Sequence, residues 1–303
     1  MRISVVIPTY NEEKTIIKKL DNTLNLNHPK EDLEIVISDS SNDRTMELIE
    51  EYFGQGRSVK LVIHHEDERR GVSYADNVGF SLASGDIIVR TDADVLLDEN
   101  ALLYAINSFS DEEIGCVTGR PFPLGSGLEK KYRDINTRIQ ELESKIDSTL
   151  IAHGPFTAFR RELFRPIDED SLADDSEISI KIRKEGYRCI LNPEIIFYEK
   201  TSDEGRAEQK IRRASGLIRL LWRNKTLLFN PNYGKYGMIV FPFNFFVIMV
   251  LPILLSPLLI PLIMMKVRGG TVLEAEQFLL KGMYRLISNK ATVYWEPDKY
   301  IRS

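Results

Sequence analysis

The sequence predicts an α/β fold in which a mostly parallel sheet is flanked by helices and followed by a C-terminal membrane-embedded helical segment. Over the first two hundred residues, short apolar runs alternate with segments of helical periodicity, which is the order of repeated βαβ units. Further along, the stretch from Met238 to Met265 contains no ionisable side chain. A run of that length and composition is hard to bury in a soluble domain of this size.

The elements follow one another in a regular order. Strands are predicted over 3–7, 33–37, 59–63, 87–89 and 114–118, and amphipathic helices lie between them, for example over 12–24 and 44–52. In parallel sheets, ligands collect beyond the carboxyl ends of the strands. Several polar clusters of this chain fall at such ends, so we expect the functional site there.

Composition excludes some classes of protein. The chain has 303 residues, 43% of them hydrophobic, which suits one large domain or a domain with an appendage. A net charge of -5 gives no basic footprint, so no nucleic acid partner is expected. Cys116 and Cys189 lie in apolar runs without metal-ligand spacing and are predicted to be reduced core residues. The first apolar run is too short for a signal peptide, so the first domain is expected to fold where it is made.

The loop after the first strand excludes two nucleotide-binding motifs. It reads "PTYNEEKT" and contains no glycine, whereas a dinucleotide-binding unit places a glycine-rich turn there. The chain also lacks a phosphate loop that ends in Gly-Lys-Ser or Gly-Lys-Thr. A nicotinamide-dependent dehydrogenase is therefore disfavoured.

The apolar C-terminal segment leaves three alternatives open. It contains four prolines, each of which removes a backbone donor and tends to bend a helix: Pro242, Pro252, Pro257 and Pro261. One kinked span, a re-entrant or in-plane pair of short helices, and a buried core helix are all compatible with this pattern. Basic residues flank both ends, so the positive-inside rule does not orient the tail.

Six motifs occur in the same order as in family 2 glycosyltransferases, which the sequence resembles over roughly its first 225 residues. They are "VVIPTYNEE" (5–13), "SDSSNDRT" (38–45), "RRGVSYADNVGFSLASGDIIVRTDADV" (69–95), "GPFTAFRRELF" (154–164), "ADDSEISIKIRKEGYR" (173–188) and "QKIRR" (209–213). The resemblance implies a GT-A-type, Rossmann-like fold. It also implies inverting transfer of a sugar from a nucleotide-sugar donor, expected to be a UDP-sugar, to a membrane-presented or lipid-linked acceptor.

The same resemblance assigns the donor side. Asp94 is the expected ligand of Mn²⁺ or Mg²⁺, and Asp92 the contact to the donor sugar or ribose. Such ions prefer oxygen ligands and neutralise the charge that grows on a leaving diphosphate. Asp39 corresponds to the family's uracil-reading aspartate, and Thr9 and Glu12 are expected to contact the nucleoside. The alternative for the Asp92 and Asp94 pair is that the two carboxylates only cap a turn.

On the acceptor side, Asp175 is the expected general base, with Asp174 beside it. Adjacent carboxylates raise one another's proton affinity, which suits a base that works near neutral pH. The alternative is that both residues only favour the N-terminus of the helix that opens there. Gly154 corresponds to the family's acceptor-side glycine loop, where backbone approaches the sugar, although a plain turn is also possible.

The motif "QKIRR" is predicted to be helical, which puts Gln209, Arg212 and Arg213 on one face. Membrane-bound members of the family have Gln-x-x-Arg-Trp at this position and use it on the acceptor side. Arg213 replaces that tryptophan, which weakens the case for a processive polysaccharide synthase. The alternative is a basic juxtamembrane helix that pairs with anionic lipid.

These points define three regions: a catalytic domain over 1–225, membrane-associated hydrophobic helices over 226–268, and an amphipathic tail over 269–303. A membrane-associated enzyme with a cytoplasmic catalytic domain is expected. Its partners would be the donor, a lipid-linked or glycan acceptor, and membrane lipid. The alternatives are a processive polysaccharide synthase and a catalytically silent nucleotide-sugar-binding membrane scaffold. A nucleotidyltransferase would carry a glycine-rich loop after its first strand, which is absent.

Overall fold

The computed structural model describes residues 1–54, 56, 58–122, 128–199, 206–265 and 270–288. Its centre is one eight-stranded sheet. The strands are β1 (Ile3–Thr9), β2 (Leu33–Asp39), β3 (Lys60–His65), β4 (Ile87–Arg90), β5 (Val95–Leu97), β6 (Ile114–Pro121), β7 (Thr157–Arg160) and β8 (Arg188–Glu199). Their order across the sheet is β3-β2-β1-β4-β7-β6-β8-β5.

The α/β class is confirmed, and the sheet is mixed. β1 pairs in parallel with β2 and β4, β2 with β3, and β6 with β8. β7 is antiparallel to both of its neighbours, β4 and β6, and β5 is antiparallel to β8. The first four predicted strands therefore form a parallel group, whereas the fifth, predicted over 114–118, has one antiparallel and one parallel neighbour.

Helices cover both faces of the sheet. The α-helices are α1 (Ile16–Leu24), α2 (Thr45–Phe53), α3 (Val72–Leu82), α4 (Ala101–Ser108), α5 (Leu128–Ile146), α6 (Asp174–Lys184), α7 (Arg206–Arg223), α8 (Phe241–Phe245), α9 (Leu251–Leu254), α10 (Ser256–Met264) and α11 (Gly270–Ile287). Short 3₁₀ turns lie at Lys30–Asp32, Arg161–Leu163, Lys225–Leu227 and Pro231–Tyr233, and π-helical turns at Tyr236–Val240 and Phe246–Val250.

The alternation of side chains along β1 builds two separate cores. Val5 and Ile7 pack in the cluster that contains the buried residues of α1, α2 and α4. Val6 points to the other face and packs with α3 and α6. Because successive strand residues point to opposite faces, a continuous apolar strand needs helices on both sides. Cys116 and Cys189 are buried and form no disulfide, as predicted, although they lie opposite each other on β6 and β8.

The first helix begins later than the sequence predicts. We expected it from residue 12, but α1 begins at Ile16, because Asn11 adopts a left-handed backbone conformation with φ of 56°. The Asn11 amide donates to Ser41 Oγ at 2.8 Å, and its side chain accepts from the amide of Asn42 at 3.0 Å. Residues 10–13 therefore join the loops that follow β1 and β2, so Asn11 does not cap α1.

A third core joins the apolar C-terminal segment to the α/β part. Tyr236, Val240, Phe241 and Ile248 lie in one buried cluster with residues of α6 and α7. Tyr236–Leu254 is one continuous stretch of α- and π-helical turns that runs through Pro242 and Pro252. After a turn at Leu255 follows α10, which has Pro257 in its first turn and Pro261 in its interior. Residues 266–269 and 289–303, which belong to the predicted membrane and tail regions, lie outside the described residues.

Candidate functional site

The candidate site lies at the carboxyl ends of β1, β2 and β4, which are neighbours in the sheet. Parallel strands bring their carboxyl ends to one edge, so loops distant in sequence meet there. The predicted residues Thr9, Asp39 and Asp92 all come from these strand ends. Asp174 and Asp175 reach the same edge from the N-terminus of α6, through the guanidinium group of Arg90.

On the donor side, Asp39 is buried and accepts four hydrogen bonds. Its Oδ1 accepts from the hydroxyls of Thr9 and Ser41, each at 2.6 Å. Its Oδ2 accepts from the Ser41 amide at 3.0 Å and lies 2.7 Å from His65 Nδ1. The structure thus joins Thr9 to Asp39, and their predicted contacts with the donor stay predictions. It also adds Ser41 and His65, which the sequence did not single out.

Glu12 has a local structural role in this region. It is buried, and its carboxylate accepts from the Thr15 hydroxyl at 2.6 Å. Its backbone amide donates to Thr45 Oγ1 at 2.7 Å, which ties the loop after β1 to the start of α2. The predicted contact of Glu12 with a nucleoside stays a prediction. A small cleft opens beside Asp39 and is lined by Ser38, Asp39, Ser40, Glu66, Gly71 and Tyr74.

Asp92 and Asp94 lie half-buried in the loop between β4 and β5. A buried lysine of α1, Lys19, holds both ends of this loop: its Nζ donates to Thr91 Oγ1 and to the carbonyl oxygen of Val95, each at 2.7 Å. Burial lowers the pKa of Lys19 to about 7, although the carboxylates of Asp92 and Asp94 oppose that shift. The ammonium group therefore lies close to both aspartates, and its two hydrogen bonds hold the loop that carries them.

Arg90 occupies the centre of the site and was not predicted. It is the last residue of β4 and is buried. Its Nη1 donates to Asp92 Oδ1 at 2.5 Å, its Nε lies 3.4 Å from Asp76 Oδ2, and its Nη2 lies 3.8 Å from Asp174 Oδ2. Burial alone would lower the pKa of Arg90, but these carboxylates raise it, so the guanidinium stays charged.

Asp174 and Asp175 begin α6, so the predicted helix opening is present at this point. Asp175 Oδ2 accepts from the Gly154 amide at 2.8 Å, and Oδ1 accepts from the Ser176 amide at 2.7 Å. Burial, and then the charge of Asp174, raises the pKa of Asp175 to about 6, against the opposing effect of Arg90. A carboxyl group with this pKa is deprotonated at neutral pH and is more basic than an exposed aspartate.

Gly154 lies against Arg90 and Asp175. A Cβ atom on Gly154 would be 2.6 Å from Arg90 Nη1 and 3.5 Å from Asp175 Oδ2. Because Arg90 is held by three carboxylates, it cannot easily move aside for a methyl group. The glycine therefore allows the backbone to approach Arg90 and Asp175 closely. The predicted approach of this loop to an acceptor sugar stays a prediction.

The motif on α7 is helical, as predicted, and its three residues differ in exposure. Gln209 and Arg212 are half-buried, whereas Arg213 is exposed. Burial lowers the pKa of Arg212, and the negative charges of Asp174, Asp175 and Asp92 oppose this shift, so Arg212 is close enough to these carboxylates to feel their charge. The predicted acceptor-side roles of all three residues stay predictions.

A metal ion fits this site only as a companion of the donor. Within the described ranges, no three His, Cys, Asp or Glu side chains are grouped so as to hold a metal ion. Mg²⁺ and Mn²⁺ are commonly bound by one or two carboxylates together with substrate phosphates. Asp94 would supply one such carboxylate, with the remaining ligands coming from a diphosphate and water, and its role as a metal ligand stays a prediction.

Comparison with known proteins shows the class of protein that this fold and site define. The chain belongs to glycosyl transferase family 2, whose family model matches residues 4–167; a second model, glycosyl transferase family group 2, matches residues 87–271.

Curated relatives include a probable glycosyltransferase and polysaccharide synthases. The chain is 30% identical over 230 residues to the probable glycosyltransferase YdaM of Bacillus subtilis, covering 71% of this chain and 55% of the relative. It is 29% identical over 234 residues to the poly-β-1,6-N-acetyl-D-glucosamine synthase of Staphylococcus aureus, covering 73% and 56%. The chain thus spans about half the length of the curated relatives that it matches.

Solved structures confirm the GT-A-type fold. The mannosyltransferase PcManGT of Pyrobaculum calidifontis, in complex with GDP-Man and Mn²⁺, superposes with a TM-score of 0.76 at 27% identity, over 95% of this chain and 88% of that chain. Staphylococcus aureus TarS (residues 1–349) in complex with UDP-GlcNAc has a TM-score of 0.55 at 18% identity, over 97% and 90%. The second likeness concerns the fold alone.

Proposed function

We propose that this protein transfers a sugar, with inversion, from a nucleoside diphosphate sugar to a hydroxyl group of a membrane-presented acceptor, with Asp175 as the general base. The observation that carries the proposal is the position of Asp175. It is a carboxyl group with a pKa of about 6, and Arg90 connects its neighbour Asp174 to the strand end that carries Asp92. An inverting transfer needs this arrangement, because the base and the donor must face each other across the anomeric carbon.

In this mechanism each side chain has a separate task. Asp175 accepts the proton of the attacking hydroxyl, and the Gly154 and Ser176 amides orient its carboxylate. Asp92, held by Arg90, would bind the donor on the sugar or ribose side. When bound, Mn²⁺ or Mg²⁺ at Asp94 supplies charge neutralisation for the leaving diphosphate.

The donor is proposed to be a UDP-sugar, with a GDP-sugar as the second candidate. Asp39 and Thr9 lie at the strand ends where the family reads the base, which supports the first candidate. The 27% identical mannosyltransferase, solved with GDP-Man, supports the second. Because Asp39 already accepts four hydrogen bonds, a base N–H would have to replace one of these donors, and half-exposed His65 is the most accessible of them.

The test of the proposed function is a transfer assay. Purified protein is incubated with UDP- and GDP-sugars and Mn²⁺ or Mg²⁺, with and without a membrane lipid extract, and nucleoside diphosphate release is followed. We expect release with one donor class that increases when lipid extract is present. Binding of a nucleotide sugar without any release under these conditions would instead identify a catalytically silent scaffold.

The rate is expected to depend on pH near 6. Below the pKa of Asp175, the carboxyl group holds a proton and cannot accept another, so kcat/KM should fall about tenfold per pH unit as the pH decreases below 6. At higher pH the carboxylate is free, and the rate should reach a plateau. A pH profile of kcat/KM checks this, and a rate that increases as the pH falls through 6 would exclude Asp175 as a base.

We propose further that the apolar segment lies in the plane of the membrane surface. In the described part of the chain, one helical stretch, Tyr236–Leu254, is long and apolar enough to cross a membrane. However, one side of it is occupied: Asn244 donates to Glu143 Oε1 at 2.5 Å, and the Tyr236 amide donates to Asp147 Oδ2 at 3.1 Å. A crossing helix would have to give up these contacts with the catalytic domain.

The other side of the segment is apolar and exposed. Its exposed side chains are Met238, Ile239, Phe243, Phe246, Ile253, Leu254, Leu258, Ile260, Met264 and Met265. Exposed Trp222 and Phe229 precede the segment in the chain, and Lys225 Nζ is 4.4 Å from the centre of the Trp222 ring. One apolar face with aromatic and basic neighbours is the composition of a helix that lies in the interface.

Binding to phospholipid vesicles tests whether this apolar face contacts the membrane. Replacing Phe243 and Phe246 together by serine should weaken co-sedimentation with anionic phospholipid vesicles roughly tenfold or more, because two large apolar side chains no longer enter the bilayer. The matched control replaces Leu82 and Leu103, two exposed leucines of α3 and α4, and should bind like the wild type. Equal binding of both double variants would contradict the proposed face.

A further inference from the structure

The guanidinium group of Arg90 contacts three carboxylates that come from three different elements. Asp76 belongs to α3, Asp92 to the loop after β4, and Asp174 to the N-terminus of α6. A different nitrogen faces each of them: Nε faces Asp76, Nη1 faces Asp92 and Nη2 faces Asp174. The planar group therefore fixes the relative positions of all three carboxylates.

Asp76, on α3, fixes the orientation of the Arg90 guanidinium group. It is fully buried, and burial raises its pKa well above that of an exposed aspartate, against the opposing charge of Arg90. Its Oδ1 accepts from Arg90 Nε at 3.4 Å. Its Oδ2 lies at the same distance from that nitrogen but has no hydrogen-bond partner among the described residues. With Nε held by Asp76, the two terminal nitrogens of Arg90 are directed at the site.

We propose that Arg90 is a positioning residue that sets the separation between the donor-side carboxylate Asp92 and the base-side carboxylate Asp174. The inference rests on the proposed function, because it assigns the two carboxylates to opposite sides of one reaction. Gly154 is part of the same arrangement, since any side chain there would collide with Arg90 Nη1. Asp175 follows Asp174 in the first turn of α6, so a shift of Asp174 also moves the base.

The chemical reason for this role is the geometry of displacement. The attacking oxygen and the leaving diphosphate must lie on opposite sides of the anomeric carbon, and a displacement of about 1 Å can cost on the order of 10²-fold in rate. A lysine at this position would keep the positive charge but could not address three carboxylates in fixed directions. Charge and geometry can therefore be separated by substitution.

The test compares Arg90→Lys with Arg183→Lys. Arg183 is a matched control, because it is also a buried arginine and pairs with a half-buried aspartate, Asp147, at the other end of α6. We expect Arg90→Lys to lower kcat about 10²-fold and to leave the donor Kd, measured by calorimetry with Mn²⁺, within about threefold of the wild type. Arg183→Lys should lower Tm without changing kcat at a temperature where it is folded.

A second variant removes the charge while the core stays neutral. In Arg90→Met combined with Asp76→Asn, both members of the buried pair are neutral, which avoids an isolated buried charge. Because Arg90 holds down the pKa of Asp175, the acid limb of the pH profile should move to higher pH in this double variant. If Arg90 had only a structural role, the substitution would lower Tm, and the pH below which kcat/KM falls would not change.

Two results would overturn the inference. One is a wild-type kcat and acid limb in both Arg90 variants. The other concerns the ratio of the loss of kcat to the loss of Tm. If this ratio is the same in Arg90→Lys and in Arg183→Lys, the loss of kcat in Arg90→Lys follows from destabilisation. If the wild-type protein transfers no sugar from any donor, the proposed function itself is wrong, and this result is distinct from the two above.

Discussion

Replacing Asp175 by asparagine is expected to lower kcat by about 10²–10⁴-fold, the usual contribution of a general base, while the donor Kd stays near the wild-type value. The amide cannot accept the proton of the attacking hydroxyl. It can still accept one of the two backbone hydrogen bonds that now come from Gly154 and Ser176. The loss of the other should cost about 1 kcal/mol of stability. Single-turnover kinetics and calorimetry separate the chemical step from donor binding.

The control for Asp175→Asn is Asp147→Asn. Asp147 is also a half-buried carboxylate that accepts a hydrogen bond from a backbone amide, that of Tyr236 at 3.1 Å, but it pairs with Arg183 away from the site. This variant should lose stability and keep kcat. If Asp175→Asn is folded and turns over at the wild-type rate, Asp175 only caps α6, which is the alternative that the sequence leaves open.

Replacing Asp94 by alanine is expected to remove the effect of divalent ions on donor binding and to lower kcat/KM on the order of 10²-fold or more, since a metal supplies several kcal/mol of charge stabilisation. In the wild type, we expect a lower donor Kd with Mn²⁺ than with a chelator. In the variant, the two values should coincide. Calorimetric titration of the donor under both conditions gives the comparison directly.

Asp98 provides the matched control for this substitution. It lies just after β5, four residues beyond Asp94, and its carboxylate accepts from the Asn100 amide at 3.1 Å. Asp98→Ala should retain the metal dependence of the wild type. A wild-type donor Kd that is the same with Mn²⁺ and with chelator would refute the metal site, whatever the variants do.

The positions of the residues that end strands were predictable from the period of the sheet, whereas their proposed roles came from the family resemblance. Thr9, Asp39 and Asp92 each follow an apolar run, and the sheet brings such ends together whatever their separation in sequence. Asp174 and Asp175 were predictable for a second reason: acidic residues directly before a helical pattern define its N-terminus. These signals are local in the sequence, and the predicted strand ends and helix start are present in the structure.

The residues that connect the site were not predicted, because their signals depend on which face is buried. Lys19 looked like one of several polar residues of an amphipathic helix. Yet Ile16 and Leu20 lie three residues before and one after it on the buried face of α1, so a lysine there needs internal partners. Arg90 closes an apolar strand, and its carboxylate partners come from α3 and α6, whose positions no local pattern fixes.

The antiparallel part of the sheet was missed for a related reason. β7 is only four residues long, and β8 contains Pro193 and charged residues, so neither has a clear strand period. Their pairing is decided by tertiary contacts with β4 and β6. This matters for the site, because β7 follows directly on the Gly154 loop that contacts Asp175.

The configuration of the product at the anomeric carbon tests the central claim most directly. If one carboxylate base directs a single displacement across this site, an α-linked donor such as UDP-GlcNAc or GDP-Man must give a β-linked product. NMR of the purified product measures this through the coupling constants of the anomeric centre. A β-linked product is predicted by the account, and an α-linked product from the same donor would contradict it.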